Sequence, residues 1–155
     1  MQIRQLSLDD LDLLIKLRID FMLEEHIEFS NEELASIKQK CEEFFISSLE
    51  ANRFIAFAAQ DGDKVLSTAF LTIHERPPRR GNTSFLIGTV YNVLTYREHR
   101  RKGLAKRVLT ELLSEAKSMG VSSIDLLATQ EGEKLYANMG FRKINYAPMK
   151  IDFQQ

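Results

Sequence analysis

The sequence contains one cysteine, three scattered histidines and no apolar run long enough to span a membrane. A lone Cys41 excludes an internal disulfide framework, and His26, His74 and His99 lack the spacing of metal ligands, so we expect no bound metal. A membrane helix needs about 20 consecutive apolar residues, and residues 1–5 lack the character of a signal peptide. These absences favour a cytoplasmic protein.

Internal repeats, low-complexity segments and long linkers are also missing. The 155 residues are 44% apolar, which is enough for one substantial core. No Gly-x-x-x-x-Gly-Lys-Ser/Thr sequence occurs, so a nucleotide-binding P-loop is disfavoured. We therefore predict a single domain over residues 1–155.

The charge is distributed unevenly, although the net charge is only −1. Residues 1–50 carry five Lys and Arg against twelve Asp and Glu, a net charge of −7, and the remainder carries +6. Two interpretations are open. Either the charges simply form two solvated faces, or the basic half receives an anion while the acidic half attracts a cation.

Hydrophobic periodicity predicts a mixed α+β chain. Ser7 is a plausible N-cap for the first helix, and Ser30 or Asn31 caps the second, with Glu33 in reach of a capping box from Ser30. Cys41 lies on the apolar face of that second helix, so we interpret it as a small core residue and not as a nucleophile. The predicted strands are 2–6, 54–59, 65–71, 84–95 and 124–128, with a loop over 74–82, helices over 104–116 and around 135–139, and a closing hairpin of 143–145 with 149–153.

The most informative stretch is the apolar run 91–95, which leads into the basic turn 100–105 and then into a helix. The apolar residues of that helix recur at i, i+3 and i+4, so one face must pack on a sheet. The first-turn N–H groups have no intrahelical partner and lie at the positive end of the helix dipole. Gly103 lets a ligand approach, and the junction is therefore predicted to bind phosphate.

The pattern Arg-x-x-Gly-x-Ala at 100–105 resembles the pyrophosphate-binding signature of the GNAT superfamily of N-acetyltransferases. A second stretch, Leu-Tyr-Ala-Asn-Met-Gly-Phe at 135–141, resembles that family's Leu-Tyr-x-x-x-Gly-Phe signature. The two motifs in this order identify the chain as a GNAT member over about residues 84–145, and the amino-terminal half matches by its order of elements. The implied fold is an α+β sandwich with a mixed, mostly antiparallel sheet flanked by helices.

The resemblance implies an enzyme that transfers acetyl from the cosubstrate acetyl-CoA directly to a primary amine of a small molecule or peptide. Tyr136 would be the general acid that protonates the departing thiolate, and Asn138 would contact the cofactor. The strand residues that would pair with the pantetheine arm and offer an N–H to the thioester oxygen are Val93, Leu94 and Thr95. The residues that would wrap the pyrophosphate are Arg100, Arg101, Lys102, Gly103, Leu104 and Ala105.

Two features of the site stay open at this point. Many family members have Asn and Ala where this chain has Thr129 and Gly132, which puts a side-chain contact near the pantetheine in doubt. The general base is not identified by any motif, and ordered water could serve instead. The candidate bases are Glu24, Glu25, His26, His74 and Glu75.

Two rival functions are carried as alternatives. The first is a regulatory module that binds acetyl-CoA without turnover. The second is a nucleic-acid or ribosome-binding protein, because a cluster of basic residues between positions 97 and 107 could contact a phosphate backbone. The acetyltransferase interpretation predicts a small amine-bearing acceptor, no nucleic-acid partner, no membrane partner and a possible homodimer. The basic cluster consists of Arg97, Arg100, Arg101, Lys102, Lys106 and Arg107.

Overall fold

A computed structural model describes residues 1–153, in which five strands form one sheet and four α-helices cover its two faces. This α+β sandwich confirms the predicted fold class. The strands are β1 (Gln2–Gln5), β2 (Phe54–Asp61), β3 (Lys64–Glu75), β4 (Leu86–Thr95) and β5 (Ser123–Asp125). The helices are α1 (Leu11–Glu24), α2 (Asn31–Glu50), α3 (Leu104–Ser118) and α4 (Glu133–Asn138), with short 3-10 turns at Leu8–Asp10 and Arg97–His99.

The strands lie in the order β1-β2-β3-β4-β5, and every neighbouring pair is antiparallel except the last. Strands β4 and β5 run parallel and pair over three residues only, from Ile87 with Ser123 to Thr89 with Asp125. Among the described residues, β4 has no strand partner on that side beyond Thr89. The sheet therefore opens between the carboxyl ends of β4 and β5.

Two hydrophobic cores lie on opposite faces of the sheet. On one face, the stripe of α3 formed by Val108, Leu109 and Leu112 packs against inward side chains of β2, β3 and β4. On the other face, Leu14 and Leu17 of α1 pack with apolar residues of α2, β2 and β3. The alternation of β2 and β3 residues between these cores explains why both strands are buried on both faces.

A side-chain cap fixes the start of α2, as the sequence predicted, whereas the Ser7 cap predicted for the first helix lies on the 3-10 turn before it, and within residues 1–153 no side chain caps α1 itself. The Glu33 amide donates to Ser30 Oγ at 3.2 Å, and the Ser30 amide donates to Glu33 Oε2 at 2.8 Å, which completes a capping box. Ser7 and Asp10 form the same arrangement at the short turn that precedes α1. These bonds satisfy N–H groups that a helix start leaves unpaired.

An ion pair beside this first cap gives a stability prediction. Arg4 donates to both carboxylate oxygens of Asp10, at 2.6 and 2.9 Å, and this interaction lowers the pKa of Asp10. A lowered folded-state pKa adds stability at neutral pH that is lost as the pH falls through that pKa. We expect Asp10→Asn to lower the Tm by about 3 °C at pH 7 and to make the acid limb of stability flatter.

The matched control for this prediction is Asp9→Asn, because Asp9 is exposed and precedes the same helix. Calorimetric Tm values for both variants between pH 2 and pH 7 provide the measurement. Equal losses in the two variants would contradict the role of the Arg4 ion pair.

Several predicted boundaries are corrected by the structure. His74 and Glu75 belong to β3 and not to a loop, because they continue the ladder opposite Ile87 and Leu86. The following strand begins at Leu86 and not at residue 84. The strand predicted over 124–128 covers Ser123–Asp125, because β4 and β5 separate after that point.

The predicted closing hairpin of 143–145 with 149–153 is wrong. These residues form neither helix nor strand, and their apolar side chains are largely exposed. Alternating apolar residues favour a strand only where a neighbouring edge and a core receive them, and an isolated hairpin is at best marginally stable. The exposed side chains are Ile144, Tyr146, Met149, Ile151 and Phe153.

Among residues 1–153, no helix combines the length and apolar character that crossing a membrane requires.

Candidate active site

A bulge interrupts β4 just before its carboxyl end. Phe70 of β3 faces Tyr91, whereas Thr68 faces Leu94, so one residue of β3 lies opposite two residues of β4. Asn92 takes up the extra length with a φ of 55°, a conformation that asparagine tolerates better than most residues. Its side-chain amide donates to the Leu17 carbonyl at 3.2 Å, which fastens α1 to the bulge.

Beyond the bulge, part of the β4 backbone faces the opening of the sheet. The Tyr96 amide donates to the Leu66 carbonyl at 3.2 Å, so this end of β4 is still paired with β3. Because amide directions alternate along a strand, the Leu94 amide also points to β3, and the amides of Val93 and Thr95 point to the free edge. The structure thus leaves strand donors available at the opening.

The basic turn follows this edge directly. Gly103 has a φ of 72°, and Arg101 has a φ of 62°, so two left-handed residues curve the chain before α3. Among residues 1–153, no heavy atom beyond the chain neighbours would lie within 4 Å of a Cβ atom at Gly103, so the space at this position is open. No side chain caps α3, and its first backbone bond runs from the Arg107 amide to the Gly103 carbonyl. The preceding amides are therefore free to bind an anion.

The basic side chains around the turn are partly engaged by the protein itself. Arg100 donates to Glu24 Oε2 at 2.9 Å and to the Thr95 carbonyl at 3.0 Å. Arg97 lies 3.7 Å from the same Glu24 carboxylate. Lys102 donates to the backbone carbonyl of Glu98 at 3.1 Å. These contacts fix the turn against α1 and β4, and Arg101 is exposed in the middle of the turn.

Helix α4 places Tyr136 on the same core cluster that Val93 contacts. The Tyr136 ring is half-buried, with its edge toward Phe141 at 5.8 Å between centroids. Burial raises the pKa of its phenol, so the hydroxyl stays protonated through the neutral range. A Cβ atom at Gly132 would lie 3.0 Å from Cε2 of this ring, so glycine there leaves room for the tyrosine.

A cavity of about 780 Å³ lies on the opposite face of the sheet, between α1, α2 and strands β2 to β4. Thr89 and Tyr91 of β4 line it, so it borders the point where β4 and β5 separate. The described residues therefore form a basic turn at an uncapped helix start, a strand edge with unpaired amides and an open cavity beside that strand.

Comparison with known proteins gives the family. The sequence profile of the Acetyltransferase (GNAT) family matches residues 16–141. The chain belongs to the GNAT family. No curated protein matches it. The predicted resemblance is confirmed, and the matched region extends well into the amino-terminal half.

Solved structures share the GNAT fold with this chain. A predicted acetyltransferase from Clostridium acetobutylicum, crystallised with acetyl-CoA, has a TM-score of 0.84 at 24% sequence identity. The alignment covers 96% of this chain and 95% of the Clostridium acetobutylicum chain. A GCN5-related N-acetyltransferase from Ralstonia eutropha has a TM-score of 0.78 at 22% identity, with 97% of both chains covered. A possible acetyltransferase from Clostridium difficile has a TM-score of 0.76 at 17% identity, covering 99% of this chain and 98% of its own. At these identities the likeness shows the fold alone.

Within this GNAT fold, the predicted site residues lie in three places. Val93, Leu94 and Thr95 end β4, and residues 100–105 form the turn. Leu104 is buried as the first residue of α3, whereas Gly103 and its three preceding residues are exposed. Asn138 is the exposed last residue of α4. The Thr129 hydroxyl accepts from the Gly132 amide at 3.1 Å in the turn before α4, whose N-cap residue is Gly132.

The five candidate bases differ in their surroundings. Glu24 is paired with Arg100, and Glu75 is paired with Arg53 at 2.9 Å. Glu25 and His26 are exposed where α1 ends. Only His74 among the five lines the cavity. The GNAT motifs also gave no indication of two residues that shape the site, Asn92 and Arg18. An asparagine inside an apolar strand is the one signal that could have indicated the bulge.

Proposed function

We propose that this protein transfers the acetyl group of acetyl-CoA directly to a primary amine of a small molecule or peptide. The observation that carries the proposal is the uncapped start of α3 beside Gly103, which follows β4 in the sequence. The pairing of β4 with β5 has ended before this point. A diphosphate requires the first feature and an extended pantetheine arm requires the second. Membership of the GNAT family supports acetyl transfer in general.

Cofactor binding would divide between backbone and side chains of residues 100–105. The amides at the start of α3 would donate to the diphosphate, and Gly103 adds a left-handed backbone conformation with open space at its Cβ position. Arg101 and Lys102 would add Coulomb attraction, while Arg100 holds the turn through Glu24. Asn138 would add a polar contact from the end of α4.

The reaction would proceed without a covalent acyl-enzyme. The amine nitrogen attacks the thioester carbonyl, and the resulting oxyanion is held by an amide on the free edge of β4. An oxyanion donor fixed in a sheet does not have to reorganise as charge develops, and such a donor contributes about 3 kcal/mol. The Cys41 thiol takes no part, because burial raises its pKa and keeps it protonated.

Tyr136 would act as the general acid in the last step. As the carbon–sulfur bond breaks, its phenol would donate a proton to the departing thiolate. Burial raises the phenol pKa, so the proton to be donated is present at neutral pH. His74 would accept the proton of the attacking amine, directly or through water, because it alone among the candidate bases lines the cavity.

Gly132→Ala tests whether the position of the Tyr136 ring matters. The added methyl would meet Cε2 of Tyr136 at 3.0 Å and Oγ1 of Thr129 at 3.3 Å, so the ring must move. The reaction rate falls steeply when a catalytic group is displaced. We therefore expect kcat to fall by about tenfold, with an unchanged KM for acetyl-CoA. Steady-state kinetics provide the measurement.

The control for Gly132→Ala is the same substitution in a Tyr136→Phe background. If the methyl acts only through the hydroxyl, it should lower kcat no further there. An additional tenfold loss in the double variant would assign Gly132 a separate role.

The experiment that tests the proposed function is a screen of amine pools for acetyl-CoA-dependent thiol release. Release that requires both acetyl-CoA and an amine is the expected result. Binding of acetyl-CoA without release for any amine would favour the regulatory module instead. Salt-dependent RNA binding with no response to CoA would favour the nucleic-acid alternative, against which the pairing of Arg97 and Arg100 with Glu24 already argues.

A homodimer and a cytoplasmic location stay predictions from the sequence. The exposed apolar side chains of residues 143–153 and the free outer edge of β5 support a contact between two copies. Light scattering of the purified protein would give the oligomeric state.

A further inference from the structure

One wall of the cavity on the α1/α2 face is formed by four phenylalanines. Phe44, Phe45, Phe54 and Phe70 line it and contact one another, with ring centroids 5.1 to 5.9 Å apart and mostly edge-to-face. This wall favours an aromatic or aliphatic body, because it offers apolar area. The remaining lining residues are Arg18, Met22, Ser36, Ile37, Lys40, Cys41, Thr72, His74, Thr89 and Tyr91.

The charges on these walls all have one sign. Arg18 and Lys40 line the cavity, and no aspartate or glutamate does. The carboxylates that make residues 1–50 acidic therefore face elsewhere. Lys40 is exposed and paired with Glu43 at 2.8 Å. A cationic amine would find no counter-charge in this cavity, although an acidic amino-terminal half had suggested attraction of such an amine.

Of the two cations that line the cavity, Arg18 has no ion-pair partner among residues 1–153. Its guanidinium donates to Asn92 Oδ1 at 3.3 Å and lies 5.7 Å from the centre of the Phe21 ring. Within residues 1–153 no carboxylate lies within 4.0 Å of it. A half-buried guanidinium held in place by a neutral amide is prepared for a carboxylate from outside, which it can bind through two N–H groups.

The cavity is also close to the reaction centre of the proposed function. Thr89 and Tyr91 belong to the part of β4 where β5 separates, and Asn92, which holds Arg18, is the bulge residue beside Val93. An amine anchored in this cavity would thus approach the free edge of β4 from the face opposite α3.

We propose that the acceptor is an amine on an aromatic or aliphatic body that also carries a carboxylate, with Arg18 pairing that carboxylate and the phenylalanines enclosing the body. This inference rests on the proposed function and specifies its substrate class. Cationic polyamines and amino sugars are excluded from the preferred acceptors. Arg18 determines specificity and takes no part in bond formation.

Calorimetry on the CoA-saturated protein tests this class through binding alone. Two pairs of probes differ only in the carboxylate: phenylalanine against phenethylamine, and 4-(aminomethyl)benzoate against benzylamine. We expect the carboxylate-bearing member of at least one pair to bind about 10- to 100-fold more tightly than its partner, and spermidine to bind more weakly than both. Equal affinities within both pairs, or no binding by either carboxylate-bearing probe, would overturn the proposal.

Variants locate the effect at one residue. Arg18→Gln should remove the advantage of the carboxylate and leave the affinity of the carboxylate-free probe nearly unchanged, and Arg18→Lys should restore part of it. Lys38→Gln is the matched control, since Lys38 is an exposed cation of α2 outside the cavity. A carboxylate advantage that survives in Arg18→Gln would reject the assigned partner.

Thiol release from acetyl-CoA with the same probes separates this inference from the proposed function. Faster release with spermidine than with either carboxylate-bearing amine would overturn the substrate class and leave acetyl transfer standing. Tight binding of a carboxylate-bearing amine with no thiol release from it would overturn its role as acceptor.

Discussion

Replacing Gly103 by glutamate should abolish acetyl-CoA binding. The new side chain would occupy open space at the turn, where no heavy atom of the described residues beyond the chain neighbours lies within 4 Å of the Cβ position, and would place a negative charge beside the bound diphosphate. We expect a loss of at least about 100-fold in affinity, equivalent to about 2.8 kcal/mol, in calorimetric titration with acetyl-CoA. Like charge and lost space act in the same direction here.

The left-handed backbone at Gly103 requires a control, because any side chain there is strained. Gly120 has a φ of 87°, also has nothing within 4 Å of its Cβ position, and lies just after the other end of α3. Gly120→Glu therefore introduces the same strain and charge away from the turn. If Gly120→Glu weakens acetyl-CoA binding as much as Gly103→Glu does, the loss comes from stability and the turn is not the binding site.

Tyr136→Phe should lower kcat by about 100-fold and leave acetyl-CoA affinity nearly unchanged. General acids typically contribute a factor of 10² or more, and phenylalanine keeps the ring packing against Phe141 while it removes the proton donor. Steady-state kinetics and calorimetry measure the two quantities separately. The matched control is Tyr146→Phe, because Tyr146 is exposed in the carboxyl-terminal segment.

The role of Tyr136 as an acid also predicts how kcat depends on pH. The acid is active while protonated, and burial raises the pKa of Tyr136 above its usual value near 10. The alkaline decline of kcat should therefore begin above pH 10 in the wild type and be absent in Tyr136→Phe. Wild-type kcat in the variant, or an unchanged alkaline limb, would remove Tyr136 from the acid role.

Local sequence patterns predicted the parts of the fold that are determined by residues close together in the sequence. The stripe of Val108, Leu109 and Leu112 predicted α3 because one helix face meets the sheet, and Ser30 with Glu33 predicted the start of α2 because a capping box needs only four residues. The turn at residues 100–105 was predicted for the same reason, since glycine and the following helix lie side by side in the sequence.

Features that depend on distant residues were not predictable from such patterns. The lengths of β3 and β5 are set by register with β4, so His74 was misplaced in a loop and residues 126–128 were misplaced in a strand. The carboxyl-terminal hairpin was predicted from alternation alone, although residues 143–153 have no edge or core to receive them. The Asn92 bulge depends on the count of residues opposite Ala69, which no single strand reveals.

The cavity illustrates the same limit for function. Its lining comes from α1, α2, β2, β3 and β4, and each phenylalanine reads in the sequence as an ordinary core residue. Arg18 lies among apolar residues of α1, and its isolation from carboxylates becomes visible only when the five elements are assembled. Overall charge suggested a cationic acceptor, whereas the local lining favours an anionic group on the acceptor.

Product analysis of a reaction with acetyl-CoA and the amine probes is the most direct test of acetyl transfer by this protein. Free CoA thiol and acetylated amine should appear in equal amounts, as quantified by thiol titration and mass spectrometry. Thiol release that is the same with and without amine, or no acetylated amine with any probe, would contradict acetyl transfer by this protein.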